Sequence, residues 1–171
     1  MKKIKISTYI LAIALAFSAS SCHDDLDLMP NDPDTYTQFD VFKDPATAKS
    51  ALAKVYASLA LTGQKGPAGS GDIQGIDEGS SQYTRLMFNL NVLTTDESIV
   101  GWGDPGLPNL HGISWGASNS FVEAMYYRLA QTVSFSNSFI ANAKTLSETS
   151  PEVKEYVAEA RFIRAYAYYN L

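Results

Sequence analysis

Two dipeptides in this sequence carry strong start signals for α-helices. Asp44-Pro45 and Ser150-Pro151 each place a helix-capping residue directly before a proline that suits the first helical position. Apolar residues then recur at spacings of three and four, the period of a helix with one buried face. We expect Gly63 to end the first helix. Its apolar face consists of Ala48, Ala51, Leu52, Val55, Tyr56 and Leu59.

The helix predicted after Ser150 is apolar on two sides. Such a helix expects neighbours on both faces, and this one runs to Leu171 without a stop signal. We therefore expect the chain to be the N-terminal piece of a longer protein. One apolar line consists of Tyr156, Ala160, Ile163 and Ala167, and the second, aromatic line of Phe162, Tyr166 and Tyr169.

Two further helices are predicted between these. Asn119 or Ser120 can cap a long helix that runs to about Leu146, and Ser136 and Asn137 interrupt its apolar stripe. The interruption predicts a buried hydrogen bond between helices. The stripe consists of Val122, Met125, Leu129, Val133, Ile140 and Ala143. Residues 82–93 favour a short helix, although their apolar pattern also allows a strand.

Glycine and proline mark two long loops. Residues 63–79 hold six of the 11 glycines, so we expect a surface loop there. Its acids Asp72, Asp77 and Glu78 lack the alternating spacing of a calcium loop, and we expect them to be solvated. Glycines and prolines in residues 101–108 forbid a continuous helix, which places Trp102 in a loop.

The start of the chain has the layout of a secretory signal. Lysines are followed by a short apolar run over residues 6–17 and by small residues up to Cys22, the single cysteine. The run is too short to cross a bilayer, which takes about 20 apolar residues. Ala19-Ser20-Ser21-Cys22 resembles a lipobox, with Cys22 as the lipid attachment point; a secreted protein with a free thiol is the alternative.

These features predict three segments. Residues 1–21 form a lipoprotein signal peptide, residues 22–43 a lipidated tether and extended lead segment, and residues 44–171 a helical domain. Three of the 13 basic residues lie in the signal, which leaves ten against 18 acidic residues, a net charge of about −8. This charge argues against nucleic acid or anionic lipid as a partner.

Few residues could support catalysis. A Ser-His-acid triad in the folded domain would depend on His111 alone, because the other histidine, His23, lies in the tether. Asp96 and Glu97 are neighbours in sequence, and adjacency does not supply the fixed carboxylate separation of a glycosidase. We expect neither catalysis nor a cofactor nor a metal site.

Sugar binding needs an aromatic face and a few polar groups beside it. Trp102, with Asp104 and Asn109 nearby, is the best candidate, and Arg85 and Tyr83 are weaker ones. Trp102 could instead pin its loop to the helices. We expect Trp115 to lie in the core.

The end of the chain resembles a known family. Residues 159–171, EARFIRAYAYYNL, are similar to the signature helix of the SusD/RagB family of outer-membrane nutrient-binding lipoproteins. Residues 51–56, 95–97 and 127–137 resemble further segments of that family in the same order. The lipobox and the acids that follow it fit as well, since they resemble the signal that directs some lipoproteins to the outer face of the outer membrane.

The resemblance implies a fold and a function. The fold would be all-α, with tetratricopeptide-like helical hairpins that support long irregular loops. The protein would bind a glycan or another nutrient at the cell surface, act as a lid on a SusC-like TonB-dependent transporter, and not be an enzyme. The alternative is a structural helical-repeat lipoprotein that binds only other proteins.

Overall fold

The computed structural model describes residues 32, 35–63 and 71–171. The chain divides into two compact units, Met1–Thr37 and Gln38–Leu171. Only Asp32 and residues 35–37 are described in the first unit, so the fold below is that of the second. The predicted signal peptide, Cys22 and most of the lead segment lie outside the described residues.

Every long regular element in the described part of the chain is an α-helix. No strand occurs in these residues, which confirms the all-α prediction. No helix among them is both long and apolar enough to cross a membrane. The elements are α1 (Gln38–Val41), α2 (Pro45–Ala57), a 3₁₀ turn (Glu78–Ser80), α3 (Tyr83–Val92), α4 (Leu107–His111), α5 (Ser120–Asn142), α6 (Lys144–Thr149) and α7 (Pro151–Tyr169).

The capping signals in the sequence act as predicted. Asp44 Oδ1 accepts a hydrogen bond of 2.9 Å from the Thr47 amide at the start of α2. Ser150 Oγ accepts one of 3.4 Å from the Val153 amide at the start of α7. Asn119 caps α5. Each side chain satisfies an amide that the first turn leaves without an intrahelical partner.

Three boundaries differ from the prediction. The helix α2 ends at Ala57, before Gly63, because Ser58 turns the chain and its hydroxyl donates to the Val55 carbonyl. The long helix ends at Asn142, whose side-chain amide donates to the Ser138 carbonyl and competes with the last backbone bonds. A separate short helix, α6, follows. The predicted extended lead segment contains the helix α1.

The helix α5 lies at the centre of the described fold and packs against α2, α3 and α7. One apolar cluster joins α3, α4 and α5, and a second joins α2, α7 and the C-terminal part of α5. The predicted apolar line of α7 is buried throughout. The helices α5 and α7 pack against each other, as the prediction of helical hairpins requires.

Polar contacts between the helices differ from the prediction. Ser136 is buried, but its hydroxyl donates to the Thr132 carbonyl of its own helix. The buried bond between elements joins the hydroxyls of Thr132 and Ser58 at 3.0 Å. Asn137 accepts a bond of 2.7 Å from Arg164 of α7, at the surface. Asn137 therefore makes an interhelical bond at the surface, whereas the buried bond between elements lies at Thr132 and not at Ser136.

The aromatic line of α7 is exposed in the described part of the chain. Phe162 and Tyr169 keep most of their surface in solvent. Tyr166 is less exposed, because its ring centroid lies 6.2 Å from that of Tyr83.

Candidate functional site

Trp102 lies on an irregular segment between α3 and α4, as its flanking glycines predicted. Its side chain is 60% exposed. The indole is therefore not part of either apolar cluster, and one face of it is available to a ligand.

Arg85 stands beside Trp102. Its Cζ atom lies 5.5 Å from the centroid of the Trp102 ring, within the range of a cation–π contact. Arg85 belongs to the first turns of α3, and its Nη1 donates a hydrogen bond of 2.9 Å to the carbonyl of Gly79. The guanidinium is thus held between the 3₁₀ turn and the indole.

The loop that carries Trp102 is fixed where it meets α4. Ser120 Oγ donates to the Pro105 carbonyl and Asn119 Nδ2 donates to the Gly106 carbonyl, both at 2.8 Å. Gly106 has a φ of 90°, a conformation that glycine adopts without strain. Two side chains at the start of α5 therefore hold the C-terminal end of the loop.

Tyr83 lies apart from this surface. It is the first residue of α3 and is buried. Residues two apart on a helix do not share a face, so Tyr83 and Arg85 point in different directions. Burial, assisted by the neighbouring Tyr166, raises the pKa of the Tyr83 hydroxyl to about 12, so this group stays protonated at neutral pH. Its predicted contact with a ligand stays a prediction.

Asp104 and Asn109 occupy different positions. The backbone carbonyl of Asp104 accepts a bond of 3.0 Å from the Leu107 amide and so forms the turn into α4. Asn109 lies on α4, and its Nδ2 donates to Ser114 Oγ at 3.2 Å. With Trp115 it lines an open depression of about 330 Å³ that Trp102 does not line. Trp115 is 40% exposed, so its prediction as a core residue is wrong.

Arg128 is the residue that the sequence analysis missed. It lies on the buried face of α5, is 1% exposed, and forms an ion pair with Asp72 at 2.6 Å. Its Nε donates to the Ser81 carbonyl at 2.7 Å. The Arg128 hydrogen bonds hold the pKa of the Asp72 carboxyl below its ordinary value. Asp72 is therefore paired, which corrects the expectation that it is solvated.

A signal for Arg128 exists in the sequence. It falls beside Leu129 and three residues after Met125, in the apolar stripe of α5. A charged residue at such a position is rarely buried without a partner. The pattern identifies the burial, but the partner comes from a loop 56 residues earlier, and nothing in the spacing points to it.

Another groove lies away from Trp102. It measures about 460 Å³ and lies between α2 and α5. Its aromatic residue is Phe135, and the ammonium of Lys54 lies 4.8 Å from the centroid of that ring. Phe135 is only partly exposed, whereas Trp102 is 60% exposed, so stacking with a sugar is less accessible there than at Trp102.

Residues considered for other chemistry do not form a cluster. Asp96, Glu97 and His111 are each exposed, and His111 is the last residue of α4. Across residues 35–63 and 71–171, no group of three His, Cys, Asp or Glu residues could hold a metal ion.

Comparison with known proteins gives one informative match. No protein-family model matches the chain. The chain is 38% identical over 160 residues to the starch-binding protein SusD of Bacteroides thetaiotaomicron. The match covers 93% of this chain and 27% of that protein. The chain thus spans much less than half the length of the relative.

Proposed function

Since this chain is a SusD-like sequence along 93% of its length, we propose that it binds a starch-type oligosaccharide and delivers it to a SusC-like transporter in the outer membrane. The exposed Trp102 indole with the Arg85 guanidinium beside it carries the proposal. An indole offers a flat apolar face to the C–H side of a pyranose ring. The guanidinium offers N–H donors to the hydroxyls, and only one is taken by Gly79.

Magnitudes indicate that this pair is one subsite of a larger site. An aromatic contact contributes about 0.5–1.5 kcal/mol, and a hydrogen bond to a charged group about 1.5–3 kcal/mol. Their sum is at most comparable to the roughly 4 kcal/mol of a millimolar complex. We expect Trp102 and Arg85 to bind one or two sugar units weakly. A contact from Asp104 stays a prediction, whereas Asn109 lies with Trp115 and Tyr83 is buried, so neither belongs to this subsite.

A test uses retention of the protein by starch. In native gels that contain amylopectin, Trp102→Ala should be retarded clearly less than the unmutated protein, because the aromatic contact of this subsite is lost. Phe88→Ala is the matched control, because Phe88 is an exposed aromatic residue of α3 that takes no part in the Trp102–Arg85 contact. Equal retardation of Trp102→Ala and the unmutated protein would contradict the assignment.

The anchor and the transporter form the second half of the proposal. Cys22 carries the lipid chains, which hold the protein on the outer face of the outer membrane. The position of this single cysteine after a signal-like segment supports the proposal. Mass spectrometry of the cellular protein should show an acylated Cys22, and Cys22→Ser should release it from membranes. A large β-barrel should co-purify with the anchored form; an unmodified thiol would contradict the anchor.

We expect binding without turnover. Incubation with maltoheptaose should return the oligosaccharide at its original length. If shorter products form, and His111→Ala or Asp96→Asn abolishes them, a hydrolase replaces the binding protein proposed here.

A scaffold that binds only other proteins is the second candidate function. The exposed aromatic line of α7, with Phe162 and Tyr169, favours it, because large apolar side chains in solvent mark interaction surfaces. Under this alternative, Trp102→Ala leaves partner capture intact and no saccharide binds. Two results together would favour the scaffold. Trp102→Ala would still capture the β-barrel, and starch would not retain the unmutated protein.

A further inference from the structure

Arg128 has all of its hydrogen-bond donors satisfied inside the protein. A guanidinium has five N–H groups. Nε donates to the Ser81 carbonyl, Nη1 to Asp72 and Gln131, and Nη2 to Asp72 and to Ser81 Oγ, at 2.6–3.2 Å. The planar fork therefore binds a loop carboxylate on one side and Ser81, the residue that follows the 3₁₀ turn, on the other.

Ser81 connects Arg128 to the 3₁₀ turn. Besides receiving Arg128, Ser81 donates its hydroxyl to the Glu78 carbonyl at 2.8 Å and its amide to the same carbonyl at 3.0 Å. Ser81 is fully buried, and Ser80 beside it is nearly so. The position of the turn Glu78–Ser80 thus depends on the buried guanidinium.

The same turn positions the exposed arginine. Gly79, in the middle of the turn, accepts the hydrogen bond from Arg85, and Arg85 lies over Trp102. Hydrogen bonds join Asp72 to Arg128, Arg128 to Ser81 and Ser81 to the Glu78 carbonyl. Gly79 follows Glu78 in the chain and accepts the bond from Arg85, so the path reaches Trp102 through the backbone of the turn.

We propose that Arg128 and Asp72 are positioning residues for the saccharide subsite and that they act by holding the 3₁₀ turn against which Arg85 is braced. The ligand class rests on the proposed function; the coupling of Arg128 to Trp102 does not. A lysine at position 128 keeps the charge but cannot reproduce five donors in one plane. Arg128→Lys therefore removes the planar arrangement of donors while it retains the positive charge.

The first measurement needs no ligand. In a Trp115→Phe background, Trp102 is the only tryptophan within residues 1–171, and in this part of the protein its quenching by acrylamide reports its exposure. We expect Arg128→Lys and Asp72→Asn to raise the quenching toward that of Arg85→Ala. The coupling would be overturned if Arg128→Lys and Asp72→Asn were quenched no more than the parent. It would also be overturned if Arg85→Ala were quenched no more than the parent.

The second measurement is affinity for maltoheptaose. Loss of the cation–π contact between Arg85 and the exposed indole corresponds to a dissociation constant about two- to fivefold higher. We expect the dissociation constant for maltoheptaose to rise by about this factor in Arg128→Lys and in Asp72→Asn. Unchanged affinity in both, alongside lost affinity in Arg85→Ala, would overturn the positioning role and leave the proposed function intact. A parent protein that binds no saccharide would refute the proposed function while the quenching data still decide the coupling.

Two controls separate positioning from general destabilisation. Thr132→Val removes the buried hydrogen bond to Ser58 one turn along α5, so it lowers stability without touching the path. Arg164→Lys changes an arginine on α7 that donates a hydrogen bond to Asn137 at the surface. Both should leave the quenching and the affinity at parent values. If Thr132→Val reproduces the effects of Arg128→Lys, general loosening explains them and the inference is wrong.

Discussion

Arg85 and Arg128 show how one side chain takes two roles in this protein. Arg128 is buried and uses its five donors internally, whereas Arg85 gives one donor to Gly79 and presents the rest of its guanidinium beside an exposed indole. The sequence predicted Arg85 and Trp102 as ligand-binding residues; the structure brings these two side chains into contact, and their role in binding stays a prediction. It did not identify the Arg128–Asp72 pair, because the apolar stripe indicates that Arg128 is buried but not that its partner lies 56 residues earlier.

Gly79 offers a test of how closely Arg85 is held. A Cβ atom there would lie 3.2 Å from Asp77 Oδ1 and 3.4 Å from Arg85 Nη1, so Gly79→Ala must displace one of them by a few tenths of an ångström. We expect about twofold weaker binding of maltoheptaose, within the range of a weakened cation–π contact. Isothermal titration calorimetry can measure this change.

Gly101→Ala is the control for Gly79→Ala. No atom lies within 4 Å of a Cβ atom added at Gly101. This variant is expected to bind like the parent. If Gly79→Ala also binds like the parent, Arg85 is not confined by the 3₁₀ turn.

At the scale of elements, the starts of α2, α5 and α7 were predictable, whereas the ends of α2 and α5 and the short helices α1, α4 and α6 were not. Asp44, Asn119 and Ser150 act within one turn of their own position, so local sequence is enough to identify them. The breaks after Ala57 and Asn142 depend on Ser58 and Asn142 side chains that bind carbonyls of the preceding turn. Serine and asparagine also occur within helices, so the sequence alone does not show which of them ends a helix.

Ser150→Ala should destabilise α7 and the helices packed on it. The change removes the acceptor for the Val153 amide, which typically costs about 1 kcal/mol. Urea unfolding followed by circular dichroism should show the lower midpoint. Ser150→Asp keeps a capping oxygen and should retain the parent stability; equal destabilisation by both changes would contradict a capping role.

Gly106→Ala should loosen the C-terminal end of the Trp102 loop. An added Cβ would lie 2.8 Å from Ser120 Oγ, and a φ of 90° strains any residue with a side chain. We expect a loss of about 1–3 kcal/mol in the free energy of unfolding. Thermal melts would reveal it.

The comparison for Gly106→Ala is Gly103→Ala. Gly103 is in the same loop, and a Cβ atom there has open space around it. Equal melting temperatures for the two variants would contradict the role of Gly106 in holding the end of the loop.

At the scale of the whole molecule, one helix brings the parts of the site together. The helix α5 carries the caps that hold the Trp102 loop and the arginine that holds the 3₁₀ turn. The site therefore exists only when α3, α5 and two loops are packed together. This is why the sequence identified separate candidate residues but not their grouping, and why Asn109, predicted beside Trp102, lies instead with Trp115.

Acid should weaken the assembled fold through Asp72. Its folded-state pKa lies below the ordinary value of 3.8, mainly because Arg128 donates hydrogen bonds to the carboxylate. The stabilisation is complete above the unfolded-state pKa, because the carboxyl is then ionised in both states. It falls as the pH drops below that value, since the unfolded chain takes up the proton first, and it is lost below the folded-state pKa.

Unfolding measured at a series of pH values can test this contribution. Asp72→Asn should be less stable than the parent at neutral pH, and the difference should narrow as the pH falls below 4. A constant difference between the two proteins across this range would show that the ionised carboxylate contributes nothing.

The bracing of Trp102 and Arg85 has a kinetic consequence. The loop and the guanidinium are ordered when the chain folds, so an arriving sugar meets a surface that needs little rearrangement. Association can then approach the rate of productive encounters, while the few contacts of the subsite allow rapid departure. Short residence times of this kind fit the transfer to a transporter that we propose.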